Sequence, residues 1–208
     1  MTLVIRICLV SILLISAENV FAQETPLDFN LVTGASGITL GKINGITQDK
    51  WGYIWFADQT QQCLTRYDGY RMKTYRHNPT DPTSIEPGSM ECIAVDSSGN
   101  IWFPTEKGVD KFDPRTNIAT HYHFDLRSSC KGGFIAQILV DHLGLIWLGT
   151  SEGLYNLDEK TGNFTCYPHR DNDSTSLSYN VVRALYEDHE GIIWVGTGSP
   201  FDPSREGG

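Results

Sequence analysis

The 208-residue chain is poor in the features by which a sequence usually declares its chemistry. It has no Cys-x-x-Cys, so neither a thiol redox motif nor a zinc ribbon is indicated. It has no Gly-x-Ser-x-Gly, no phosphate-binding loop and no zinc-protease motif, which removes the commonest signatures of hydrolases and nucleotide enzymes. Positive charge is scarce: 16 Lys and Arg face 25 Asp and Glu, for a net charge of −9. An acidic surface repels phosphate and no basic stripe offsets it, so nucleic acid is excluded as a partner. Apolar runs are short, with one exception. Ile7 to Ile15 is an apolar core behind Arg6, and Val20-Phe21-Ala22 places small residues before a cut at Gln23. Residues 1–22 therefore read as a signal peptide, and an exported, periplasmic protein is expected. The run falls short of the roughly 20 residues of a membrane span. Cysteines are few once the signal is removed. Cys63, Cys92, Cys130 and Cys166 allow three pairings, which stay open, and the favoured reading is free or incidentally paired core cysteines.

What the chain does contain is one line of sequence four times over. It reads Asp49-Lys-Trp-Gly52-Tyr-Ile-Trp55-Phe56 and then Asp96-Ser-Ser-Gly99-Asn-Ile-Trp102-Phe103. It returns as Asp141-His-Leu-Gly144-Leu-Ile-Trp147-Leu148 and as Asp188-His-Glu-Gly191-Ile-Ile-Trp194-Val195. The tryptophans are 47, 45 and 47 residues apart. A period of this size, with strand-forming residues and no helical pattern, is the signature of β-propeller blades. The Asp carboxylate accepts a backbone N–H two or three residues on, and the Gly supplies the positive φ that closes a hairpin.

Each turn joins two strands. The inner ones are expected at Ile43 to Thr47, Met90 to Val95, Phe134 to Val140 and Val181 to Tyr186; the second carries the Trp, packed between neighbouring blades. Third strands follow at Leu64 to Tyr67, Gly108 to Phe112 and Gly153 to Leu157. Fourth strands follow at Met72 to Tyr75, Thr120 to Phe124 and Phe164 to Tyr167. The expected fold is all-β: a partial β-propeller of about three and a half four-stranded blades after a signal peptide. Its repeats lie near 42–77, 89–124, 133–169 and 180–197 within an incomplete propeller over 23–197, and 198–208 is an irregular tail. Residues 27–40 are expected to supply the strand that completes the final blade of a closed ring. Without that blade the chain is expected to be an open arc with an exposed apolar edge, prone to self-association.

The pattern Asp-x-x-Gly-x-Ile-Trp-x-Gly-Thr-x-x-Gly-Leu resembles the two-component regulator propeller repeat. The third copy, Trp147-Leu-Gly149-Thr150-Ser-Glu-Gly153-Leu154, is the closest match, and Arg66-Tyr67-Asp68-Gly69-Tyr70 resembles the opening blade of such sensors. The likeness covers roughly residues 27–197. It departs at Ala57-Asp58 and Pro104, where Gly-Thr and Gly are usual, and after Gly196-Thr197. The resemblance implies the periplasmic sensor region of a hybrid histidine kinase, whose kinase domain lies in parts not present here, so the chain is expected to be a truncated N-terminal piece, attached to the membrane only through missing downstream domains. It also implies detection of a small nutrient or glycan fragment.

Catalytic candidates are weak. Asp49, Asp96, Asp141 and Asp188 recur in equivalent turns, which marks them as structural together with Gly52, Gly99, Gly144, Gly191, Trp55, Trp102, Trp147 and Trp194. His121 and His123 share one face of a strand, a spacing that suits a metal, but no third ligand is evident and no metal or cofactor is assigned. Asp171, Asp173 and Thr175 resemble the start of a calcium loop without its Gly and Glu, and a solvated connection is favoured. Trp51, Tyr53, Tyr179 and Arg183 have the chemistry of sugar contacts, although packing or surface roles are commoner for each. Glu91 is the one acidic residue on the expected inner strands, which argues against a propeller lyase or lactonase. The leading expectation is a ligand-sensing module. An exported propeller enzyme and a gene fragment without function of its own are the alternatives.

Overall fold

The computed structural model describes residues 28, 32, 37–125 and 132–198. The expected signal peptide, most of 27–40, Cys130 and the tail from 199 lie outside the described residues. Contacts divide the chain into units 1–32 and 33–208, and every described strand belongs to the second.

That unit is all-β. Its first sheet contains β1 (Ile43–Gln48), β2 (Ile54–Asp58), β3 (Cys63–Tyr67) and β4 (Met72–Arg76). The second contains β5 (Ala94–Val95), β6 (Ile101–Pro104), β7 (Gly108–Asp113) and β8 (Ile118–His123). The third contains β9 (Ile135–Val140), β10 (Ile146–Thr150), β11 (Gly153–Asp158) and β12 (Asn163–Tyr167). The fourth contains β13 (Val182–Glu187) and β14 (Ile193–Thr197). Each is an antiparallel meander in chain order. Three complete blades and two strands of a fourth make a partial propeller. The inner strands β1, β5, β9 and β13 follow one another in space, each beside the next.

One element is shorter than the sequence suggests. Pairing in β5 begins only at Ala94 because Met90 holds φ +49°, outside the extended region, and buries its side chain. β13 runs further than expected, to Glu187, so Glu91 is not the one acidic residue on the inner strands.

The core lies between neighbouring sheets. Trp55 of β2 is fully buried, stacked on Tyr75 at 5.6 Å and edge-on to Phe112 of the next sheet at 6.1 Å. Ile101, Phe103 and Met90 of the second sheet's segment complete that cluster. Trp102 repeats the arrangement: it is buried with Ile138, Ile146 and Leu157 of the third sheet and stacks on Tyr122. Trp147 is half-buried against Val182, Leu185 and Val195. Trp194 is 60% exposed. Packing between blades therefore describes the first three tryptophans and not the fourth, because no described strand lies on the far side of β14.

The cysteines divide. Cys63 and Cys92 are free, and burial pushes the Cys92 thiol up to about 12, so it stays protonated and inert. Cys166 is disulfide-bonded.

Candidate functional site

The repeated Asp is a knot. Asp49 Oδ1 accepts the N–H groups of Trp51 (2.9 Å) and Tyr53 (3.0 Å), and its Oδ2 accepts the indole N–H of Trp55 (2.8 Å). Asp141 makes the same bonds to Leu143, Leu145 and Trp147, and Asp188 to Glu190, Ile192 and Trp194. Asp96 bonds the N–H of Asn100 and the indole of Trp102. The second backbone donor is thus four residues on, not three. The four turn glycines have φ between +81° and +89°, a region open to glycine at little steric cost. Each Gly N–H donates to its Asp carbonyl, and each Asp N–H to the carbonyl four residues later. The same atoms that close the hairpin therefore aim the tryptophan.

The departures from the repeat keep the geometry. Thr150 Oγ1 accepts the Glu152 N–H, and Thr105 Oγ1 the Gly108 N–H. Asp58 stands where these threonines do, and its Oδ1 accepts the Gln61 N–H at 2.9 Å. The Asp171-to-Thr175 segment is likewise a connection. Asp173 Oδ1 accepts the Thr175 N–H and hydroxyl, as Asp81 does for Thr83 in the first connection.

Glu91 lies just ahead of β5 and is held from two sides. Its Oε2 accepts Asn44 Nδ2 at 2.7 Å, and its Oε1 accepts Gln59 Nε2. Its partners are amides rather than a base, so this carboxylate is oriented but not paired for proton transfer. Glu187, at the end of inner strand β13, accepts from His142, whose pKa it raises. The residues with sugar-contact chemistry are not assembled into one place. Trp51 lies 46% exposed beneath Lys50, and Tyr53 sits under the Arg66 guanidinium at 4.4 Å, both in the first repeat. Tyr179 and Arg183 belong to the fourth.

An open cleft of about 410 Å³ lies beside the third sheet. Trp147, Leu154, Tyr167, Arg170, Asp173 and Leu177 are among its lining residues. On the equivalent flank of the first sheet, Phe112 of β7 covers Trp55.

His121 and His123, a pair legible from its spacing, each meet a carboxylate that the sequence does not mark. His121 Nδ1 is 2.7 Å from Asp110 Oδ1, and its Nε2 is 2.9 Å from the Pro82 carbonyl. His123 Nε2 is 2.8 Å from Glu86 Oε2, and Lys107 Nζ is 3.0 Å from Glu86 Oε1. Burial alone would depress the His121 pKa, but the bonds to Asp110 and Pro82 hold it above the ordinary value. Desolvation raises Asp110, and its bonds from the Glu86 N–H and His121 only partly offset this. Asp110 and Glu86 carry no motif; only the strand pairing and the connection bring them to the histidines.

Residues 176–199, spanning the last connection, β13, the turn and β14, match the family described as two component regulator propeller. The match falls on the fourth repeat rather than the third. It opens at Ser176, in the connection ahead of β13. Over 82 residues the chain is 37% identical to Histidine kinase P4 of Formosa agariphila, covering 39% of this chain and 6% of that protein. Its fold is similar to the extracellular domain of a hybrid two component system from B. thetaiotaomicron, with TM-score 0.62, 21% identity and coverage of 77% of this chain and 21% of that one. It is also similar to virginiamycin B lyase from Staphylococcus aureus, with TM-score 0.51, 17% identity and coverage of 72% and 47%. The chain spans less than half the length of each of these proteins.

Proposed function

We propose that this chain is ligand-sensing propeller from a two-component signal-transduction regulator, exported to the periplasm, and that it acts by binding rather than by catalysis. The match of residues 176–199 to the two component regulator propeller carries the reading. The 37% identity to a histidine kinase over 82 residues also supports it. A ligand would bias the ectodomain between two states and so a kinase elsewhere in the whole protein. The proposed ligand class is a small nutrient or glycan fragment, which suits a surface of net charge −9 better than any polyanion does.

The lyase likeness, at 17% identity, concerns the fold alone, and Glu91 is bonded to Asn44 and Gln59 rather than to a base. The test is a thermal-shift and calorimetric screen of the purified chain against xylo-, manno- and arabino-oligosaccharides, with virginiamycin B in parallel. Saturable binding of a saccharide without its consumption is expected. Turnover of virginiamycin B would replace the sensor reading with an enzyme.

A further inference from the structure

We propose that the second sheet carries a divalent transition-metal site of the zinc class, formed by Glu86, Asp110 and His121 with His123 as the fourth ligand. Three separate segments meet here: the connection ahead of the second sheet, β7 and β8. One ligand atom from each of Glu86, Asp110 and His121 lies within 4.8 Å of the others. His123 joins through Glu86, 37 residues away in sequence, and its ring stacks on that of His121 at 6.3 Å.

Each of the three ligands in that group is already oriented by a second contact on its far atom. The Pro82 carbonyl takes His121 Nε2–H, which leaves Nδ1 directed inward. The Glu86 N–H donates to Asp110 Oδ2 at 2.8 Å, which leaves Oδ1. Lys107 holds Glu86 Oε1, which leaves Oε2. An imidazole fixed by a backbone carbonyl and a carboxylate fixed by a backbone N–H are the outer-shell contacts that metal ligands use. Two imidazole nitrogens and two carboxylate oxygens suit tetrahedral zinc.

The charges agree as well. The Asp110 side chain is wholly buried, which is unfavourable for a carboxylate without a cation nearby. Hydrogen bonds now join His121 to Asp110 and His123 to Glu86. A divalent cation bound by these atoms would take the place of both bonds and bring positive charge to the two carboxylates. Bonds of about 2.0 Å to tetrahedral zinc set ligand atoms about 3.3 Å apart, so the N···O separations of 2.7 and 2.8 Å would widen, the wider separations within the 4.8 Å group would close, and His123 would move in to join it.

The experiment titrates the EDTA-stripped full chain with ZnCl2 by calorimetry near pH 7, in two buffers of different ionisation enthalpy, and follows melting in parallel. One Zn2+ per chain, proton release on binding and a higher Tm are expected. His123→Ala and Glu86→Gln, both at partly exposed side chains, should each weaken binding about tenfold or more. His142→Ala removes a His–carboxylate pair on another sheet and should leave binding unchanged. No saturable binding by the wild-type chain, or an affinity that ignores His123→Ala and Glu86→Gln, overturns the site. Glycan binding is read separately, so failure here leaves the sensor reading standing.

Discussion

Asp49, Asp141 and Asp188 each serve three donors with two oxygens, and the third donor is an indole six residues away. Removing such a carboxylate leaves two backbone N–H groups and the Trp nitrogen without it at once. How much that matters depends on water. Asp49 is 4% exposed and its Trp55 is fully buried, so water cannot take over. Asp49→Ala is expected to lower unfolding stability by about 2–4 kcal/mol, the range for losing charge-assisted bonds to buried donors. Asp188→Ala, beside the exposed Trp194, should cost clearly less. Urea denaturation of the two variants checks the difference, and equal losses would show that burial does not set the value of the knot. The turn itself is visible in Asp-x-x-Gly. The indole bond is not, since it exists only after the hairpin has brought β2 back past the turn. His121 and His123 illustrate the same limit: the pair is legible from its spacing, whereas Asp110 and Glu86 join it through pairing and a connection.

At the scale of the element, the third and fourth sheets approach closely where β10 meets β13. A Cβ built on Gly149 would lie 2.8 Å from Val182 Cγ1 of β13. Gly149→Val therefore forces β10 and β13 apart and is expected to cost about 1–3 kcal/mol by overpacking. A thermal melt measures it; an unchanged Tm would mean that the third and fourth sheets are not held in this contact. Strand positions were largely legible because period-2 patterning and the repeated turn set them. β3, β7 and β11 begin and end within one residue of expectation. β5 was not, because its length depends on Met90 turning into the core between the sheets, a demand of the neighbour and not of the strand.

Across the whole 33–208 unit, the same residue type meets a changing environment. Trp55 and Trp102 are fully buried, Trp147 is half-buried and Trp194 is 60% exposed. Tyr186 and Ile192 extend the exposed apolar surface to 66% and 51% at their positions. A surface of this kind attracts apolar dyes and other protein surfaces. The double variant Trp194→Ser, Tyr186→Ser is expected to reduce bis-ANS fluorescence and any self-association seen by size-exclusion chromatography, with little change in Tm. Dye binding that persists at wild-type level would place the sticky surface elsewhere.

The sequence by itself determined the repeating unit: four turns, their strands and the tryptophan each one carries, because these depend on local hydrogen bonding and on alternation along the chain. Only the tertiary structure decided which tryptophans are buried, which amides hold Glu91 and which carboxylates meet His121 and His123. Those outcomes depend on what the next sheet or connection places opposite a side chain, and residues 11 to 48 positions apart carry no mark of their meeting until the sheets stack.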